Sequence, residues 1–200
     1  MVRPQLTSGT HAISTAFFGV LRPHDTLHYL TGMPYDTIQE VIGVAGDNPG
    51  TLEEHLINFS YTPLLDNGKV DYKRAKEDLQ KDSSIKMVAI QRSRGYSSRD
   101  SFVVSEIAEM IKFVKKYAPQ AIIFIDNCYG EFTETEEPTF YGADLMAGSL
   151  YKNAGGGIAK TGAFLVGNKD LIDRCGARLI VPGAGKNEGA TYPFMRDFYE

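Results

Sequence analysis

Ala121-Ile122-Ile123-Phe124-Ile125-Asp126-Asn127 decides the fold. Five consecutive apolar residues, rich in isoleucine, suit a strand buried on both faces, the environment that a parallel sheet provides. The run stops abruptly at a carboxylate and a carboxamide. Just before it, residues 105–117 carry Ile107, Met110, Ile111, Val114 and Tyr117 on one helical stripe, and Pro119 ends the helix. Helix followed by buried strand is a βα repeat. The same alternation extends in both directions.

Downstream, residues 143–149 read as a second buried strand with Lys152 just beyond its end, residues 161–166 as a last strand and 169–175 as a last helix. Upstream, residues 85–90 form a strand that delivers Gln91-Arg92-Ser93-Arg94, preceded by a charged helix over 72–80 and a turn at Asp66-Asn67-Gly68. Residues 51–58 read as a short helix opening after Asn48-Pro49-Gly50, and 35–41 as a helix with Gly43 as its C-cap. Residues 26–30 are a short strand. Nearest the N-terminus, Thr7-Ser8-Gly9-Thr10 opens a helix over 11–21 that ends at the turn Arg22-Pro23-His24-Asp25. The expected class is therefore α/β, a mostly parallel sheet flanked by helices.

With 42% apolar and 23% charged residues, the 200-residue chain suits a single globular domain over 1–200. A net charge of −4 without long blocks of either sign argues against a nucleic-acid partner. No apolar run approaches the ~18 residues of a spanning helix. Met1-Val2-Arg3-Pro4 lacks the apolar stretch of a signal peptide, so the chain reads as cytoplasmic with no membrane partner. Cys128 and Cys175 are too few for a disulfide framework or a four-cysteine zinc site and read as free thiols. Both ends look cut: a glycine loop appears almost at once, and the last residues stop among aromatics.

In open α/β sheets, ligands sit at the carboxyl ends of strands, which is where Asp126 and Lys152 are expected. A lysine just past a strand end stands in a partly desolvated cleft, where its amine can lose a proton and attack a carbonyl carbon. Ser149 and Gly155-Gly156-Gly157 would let an anion approach the backbone around it. Ser8-Gly9-Thr10 before a helix offers free N–H groups and the positive end of the helix dipole. Each feature alone has an ordinary reading: a solvated lysine, a flexible turn, a helix N-cap. Together they form the set that pyridoxal 5'-phosphate (PLP) requires, namely a Schiff-base lysine, an acid for the pyridinium nitrogen, and phosphate donors.

Five stretches in order carry a family resemblance: Ser8-Gly9-Thr10-His11-Ala12-Ile13, Pro34-Tyr35-Asp36-Thr37, Gln91-Arg92-Ser93-Arg94-Gly95-Tyr96, Asp126-Asn127-Cys128-Tyr129-Gly130-Glu131-Phe132 and Gly148-Ser149-Leu150-Tyr151-Lys152-Asn153. From about Val2 to Gly189 the chain resembles the aluminium-resistance or methionine gamma-lyase family, relatives of the cystathionine beta-lyase group of fold-type-I PLP enzymes. That resemblance implies a large domain without its N-terminal arm and C-terminal small domain. It gives Lys152 the covalent link to PLP, Asp126 the pyridinium nitrogen and Tyr35 the stacking position over the ring. Ser8, Gly9, Thr10 and Ser149 take the phosphate. His24 and Ala154 stand where relatives are expected to have glycine and proline. For the substrate carboxylate, Arg92, Arg94 and Arg99 are candidates.

The expected activity is that of a PLP-dependent carbon–sulfur lyase in amino-acid metabolism, acting on a sulfur-containing amino acid by β- or γ-elimination. The resemblance also implies a homodimer or tetramer. A PLP-dependent aminotransferase or aldolase is the first alternative, since the same groups serve those reactions. A non-catalytic metal-tolerance protein is the second. No metal site is expected, because His11, His24, His28 and His55 lack ligand spacing and Glu131, Glu134, Glu136 and Glu137 read as a solvated acidic loop. Lys160 is expected at the sheet edge opposite Lys152, just before the strand that begins at residue 161.

Overall fold

The computed structural model of the chain describes residues 5–184. The signal-peptide reading of Met1-Val2-Arg3-Pro4 and the aromatic ending over 192–200 fall outside them. In chain order the elements are α1 (Gly9–Val20), β1 (Thr26–Tyr29), α2 (Asp36–Ile42), β2 (Asn58–Tyr61), α3 (Tyr72–Lys81), β3 (Ile85–Gln91), α4 (Val104–Tyr117), β4 (Ile122–Asp126), β5 (Leu145–Ser149), β6 (Ala163–Gly167) and α5 (Lys169–Leu179). The six strands form one sheet in the order β2-β1-β3-β4-β5-β6. All neighbours are parallel except β5 and β6.

Alternation along the central strands explains why the sheet is covered on both sides. Phe124 points into a core with Ile13, Phe17, Leu27, Met87 and Leu145, while Ile123 and Ile125 point into a second core with Val88, Ile107, Ile111 and Val114. Helices α1 and α5 pack together and supply the first core, and the apolar stripe of α4 supplies the second. Phe17 meets Phe124 edge-on with ring centroids 5.2 Å apart. A sheet buried on both faces leaves polar side chains only its ends and loops, so register decides where chemistry can stand. Gln91 on β3 aligns with Asp126 on β4, and Asp126 with Ala147 on β5, two residues before Ser149.

Two expectations change. Residues 51–58 do not form a helix: the chain turns over 52–56, Leu56 enters the left-handed region at φ 59°, and Asn58–Tyr61 becomes the edge strand. The ladder groups of β1 decide this, since they give the segment parallel partners that a helix so short could not supply internally. The second change concerns direction. Because β6 runs antiparallel to β5, Ala163 lies opposite Ser149, and the start of β6 is at the carboxyl edge. Lys160 therefore stands at the same edge as Lys152, and strand position does not separate them. Its side chain is exposed, and it does not line the cleft described below.

His28, on β1, is buried within the sheet. Nδ1 and Nε2 lie 2.8 Å from Ser60 Oγ and 3.0 Å from Thr62 Oγ1, and Thr62 in turn donates to Asp78. Burial pulls its pKa down to about 4, against the weaker opposing pull of Asp78 and Asp82. The folded state therefore resists a proton that the unfolded chain accepts below about pH 6.5. Stability conferred by neutral His28 is complete above that pH and is lost as pH falls toward 4, by an amount on the order of 3 kcal/mol. Denaturant unfolding between pH 7 and 5 should show this decline, and His28→Asn should flatten it even if the variant is weaker at pH 7. An unchanged slope would remove His28 as its source.

Candidate active site

Asp126 closes β4 at 2% exposure, its backbone fixed on both sides by the parallel ladder. Oδ1 accepts the Cys128 amide at 3.1 Å. Burial pushes the Asp126 carboxyl up from its ordinary range, and the Cys128 amide and thiol together with the Lys152 charge work against that rise. Lys152 lies in an irregular turn, Leu150–Ala154, that leaves β5 directly; at φ −92°, ψ −122° its own backbone breaks the helical path. Its Nζ stands 4.1 Å from the centroid of the Tyr129 ring, a cation–π contact, and Asn153 Nδ2 donates to the Tyr129 carbonyl.

The third wall comes from α1 and the loop before α2. Ser8 is the N-cap of α1, its hydroxyl accepting the His11 amide at 3.1 Å. The first-turn amides of Gly9 and Thr10 have no partner within the helix. Tyr35 precedes α2, and its hydroxyl shares a 2.8 Å hydrogen bond with that of Thr10, while its amide donates to Gln91 Oε1 at 3.0 Å. Burial raises the Tyr35 phenol well above its usual range, with Asp126 adding to the effect. Thr10, Tyr35, Asp126, Cys128, Tyr129 and Lys152 line one open cleft of about 420 Å³, whose outer wall includes Arg94 and Tyr96. Lys152 and Asp126 thus face the same space, as their strand-end positions require.

Gly9 must be a glycine for this packing. A Cβ there would stand 2.6 Å from Cys128 Sγ and 3.6 Å from Ser149 Cβ. The Ser149 hydroxyl is fully buried yet has no hydrogen-bond partner, an arrangement that costs about 1–3 kcal/mol unless something answers it. An unanswered hydroxyl beside a glycine backbone and two free helix amides fits an anionic oxygen, and these residues suit the phosphate of PLP.

The three arginine candidates part company. Arg92 is 4% exposed, and its guanidinium donates to Asn127 Oδ1, the Gly130 carbonyl, Thr133 and Glu134, with Glu137 at 3.7 Å. Arg99 donates to the carbonyls of Gln91, Ser93 and Asp100 and lies over the Phe102 ring. Both guanidinium groups are spent on the fold. Arg94 lines the cleft, and its side chain has no hydrogen bond or ion pair among the described residues.

Nor is the acidic loop uniformly solvated. Glu134 and Glu137 are held by Arg92, Glu137 also accepts from Asn127 and Phe132, and Glu131 is buried. Sequence reasoning also passed over Tyr129 and Cys128 as site residues. Both lie in the stretch that follows Asp126, which was the available signal; the left-handed backbone that turns Tyr129 toward Lys152, φ 70°, leaves no mark in the sequence. No group of three or more His, Cys, Asp or Glu among the described residues is placed to hold a metal ion, and no helix there is long and apolar enough to cross a membrane.

A family model described as methionine gamma-lyase matches residues 1–200. The uncharacterized protein YnbB of Bacillus subtilis (strain 168) is 50% identical over 201 residues, covering 100% of this chain and 47% of that protein. A Listeria monocytogenes crystal structure, named as a proposed cystathionine beta-lyase involved in aluminum resistance, superposes with a TM-score of 0.94 at 51% identity, over 100% of this chain and 50% of that one. The pyridoxal-5'-phosphate-dependent protein YhfS from Escherichia coli shares the fold at 21% identity and a TM-score of 0.65, over 89% and 42% of the two chains. The chain spans about half the length of the curated relatives it matches.

The Arg92 network and the free Arg94 make opposite predictions for stability. Arg92→Ala strips buried acceptors of their donor and should destabilise the fold by about 2–4 kcal/mol. Arg94→Ala should stay within about 0.5 kcal/mol of the parent. Urea unfolding of the two variants measures both, and comparable losses would contradict the division of roles.

Proposed function

The chain belongs to the methionine gamma-lyase family, and from that premise we propose that it is the cofactor-binding large domain of a PLP-dependent carbon–sulfur lyase acting on a sulfur-containing amino acid. The observation that carries the reading is the convergence of Lys152, Asp126, Tyr35 and Thr10 on one cleft, beside a buried Ser149 hydroxyl without a partner. Lys152 would hold the cofactor's aldehyde carbon, Asp126 its ring nitrogen and Tyr35 a ring face. Ser8, Gly9, Thr10 and Ser149 would hold the phosphate. When bound, PLP supplies an electron sink for the carbanion left at a substrate's Cα.

Each residue's task follows from its surroundings. Asp126 in its ionised form keeps a proton on the ring nitrogen, and its burial strengthens that pairing. Lys152 Nζ, besides holding the cofactor, would serve as the general base that removes the substrate's Cα proton. Lys152 Nζ rests over the Tyr129 ring face, inside the cleft it would act in. Expulsion of the thiol from the β or γ carbon, followed by hydrolysis, gives a keto acid and ammonia. Arg94 is the candidate for the substrate carboxylate, being the arginine of the three whose fork is free. The family reading also carries a small-molecule amino-acid substrate, a cytoplasmic location and a homo-oligomer of the full-length protein.

Absorbance of the purified full-length protein, with a screen of sulfur amino acids for keto-acid release, tests the reading. Wild type should bind PLP with visible absorbance and release keto acid and ammonia without a keto-acid acceptor. Lys152→Ala should lose the visible band and lose turnover by at least the roughly 10²–10⁴-fold of a missing general base. A colourless protein, or one that needs an acceptor, would sink it.

Asp126→Asn separates the two duties of the acid. The amide fits the same space but no longer keeps the ring nitrogen protonated, so turnover should fall much further than PLP retention. Equal losses would contradict the assignment.

A further inference from the structure

Glu131 is a buried acid that the chemistry above does not use. It sits in the turn after β4 at 2% exposure. Oε1 accepts the Ser149 amide at 2.7 Å, whereas Oε2 is buried and has no hydrogen-bond partner. On the residue it grips, Ser149 Oγ is likewise buried and unanswered. The fit depends on Gly148, because a Cβ there would stand 2.8 Å from Glu131 Oε1 and closer still to the Phe164 ring. The turn itself is fixed on either side: Arg92 holds the Gly130 carbonyl at 2.9 Å, and Glu137 accepts the Phe132 amide at 2.9 Å. Glu131 is thus carried from the end of the Asp126 strand to the end of the Lys152 strand. The charged groups that act on it are Asp126 and Lys152; burial raises its carboxyl pKa, Asp126 adds to the rise, and the Ser149 amide and Lys152 oppose it.

We propose, resting on the PLP reading, that Glu131 is a positioning residue: its carboxyl occupies the Ser149 amide, fixes the last residue of β5, and leaves the Ser149 hydroxyl free for the phosphate. An apolar side chain would fill the same volume but leave the Ser149 amide without its acceptor.

The test is PLP affinity of the full-length protein, measured by absorbance titration after the cofactor has been stripped, in a cycle of Glu131 and Ser149 variants whose folding is checked by circular dichroism. Glu131→Ala should raise the PLP Kd by about tenfold or more, the scale of one lost charge-assisted anchor. Glu131→Gln keeps an acceptor for the amide and should stay within about threefold of wild type. Glu131→Asp preserves charge but shortens the reach, so it should weaken binding in the same direction as alanine and serves if alanine does not fold. Because Glu131 acts through Ser149, combining either weakening change with Ser149→Ala should add little to the loss of Ser149→Ala alone. Glu131→Ala or Glu131→Asp, folded and binding PLP within twofold of wild type, overturns the inference, as do losses that multiply in the double variant. A wild type that binds no PLP overturns it together with the reading on which it rests.

Discussion

A guanidinium as buried as that of Arg92 must have its N–H groups answered by protein, because the penalty for leaving a charge unpaired in the interior is several kcal/mol. At the carboxyl end of β3 that requirement gathers the chain. Asn127 and Gly130 come from the turn after β4, and Thr133, Glu134 and Glu137 from the loop beyond it. Gly130 is obligatory, since a Cβ there would lie 2.4 Å from the guanidinium. The turn so fixed holds Tyr129 and Phe132 in the left-handed backbone region, a cost of about 1–2 kcal/mol for each that only surrounding contacts can sustain. One cation therefore sets the path of the turn that presents Tyr129 to the cleft and Glu131 to the Ser149 amide.

Two acids then divide the interior beside Lys152. Asp126 meets the Cys128 amide and thiol and faces the cleft. Glu131 turns the other way, to the Ser149 amide. Burial pushes both carboxyls toward the neutral form, and the same lysine draws both toward the charged one. Under the proposed function a bound cofactor would change that balance, its ring nitrogen answering Asp126 and its phosphate the Ser149 hydroxyl. Pre-positioned but unanswered polar atoms are the form in which a folded chain stores affinity for such a ligand.

Much of this was legible in the residues. The apolar run ending at Asp126 specified a strand buried on both faces, and the position of Lys152 just after a similar run placed it at the same edge, because parallel neighbours share their carboxyl ends. The direction of β6 was not legible: an apolar strand reads alike in both directions, and that reversal brings Lys160 to the site's edge. Residues 51–58 misled because local helix signals say nothing of the open ladder on β1. Glu131 looked solvated among Glu134, Glu136 and Glu137, since the cation that neutralises two of them is far upstream in sequence. Arginine candidates could not be ranked from sequence for the same reason: what distinguishes Arg94 from Arg92 and Arg99 is the absence of partners, a property of the folded loops alone.

Lys160 and Lys152 standing at one edge makes the identity of the cofactor lysine the decisive question. Borohydride reduction of the PLP-loaded full-length protein, followed by peptide mapping, fixes the pyridoxyl label to a single residue. The label is expected on Lys152, whose amine lies in the cleft with Asp126 and Tyr35. A label on Lys160, or on any other lysine, would contradict the assignment of the cleft and the chemistry derived from it.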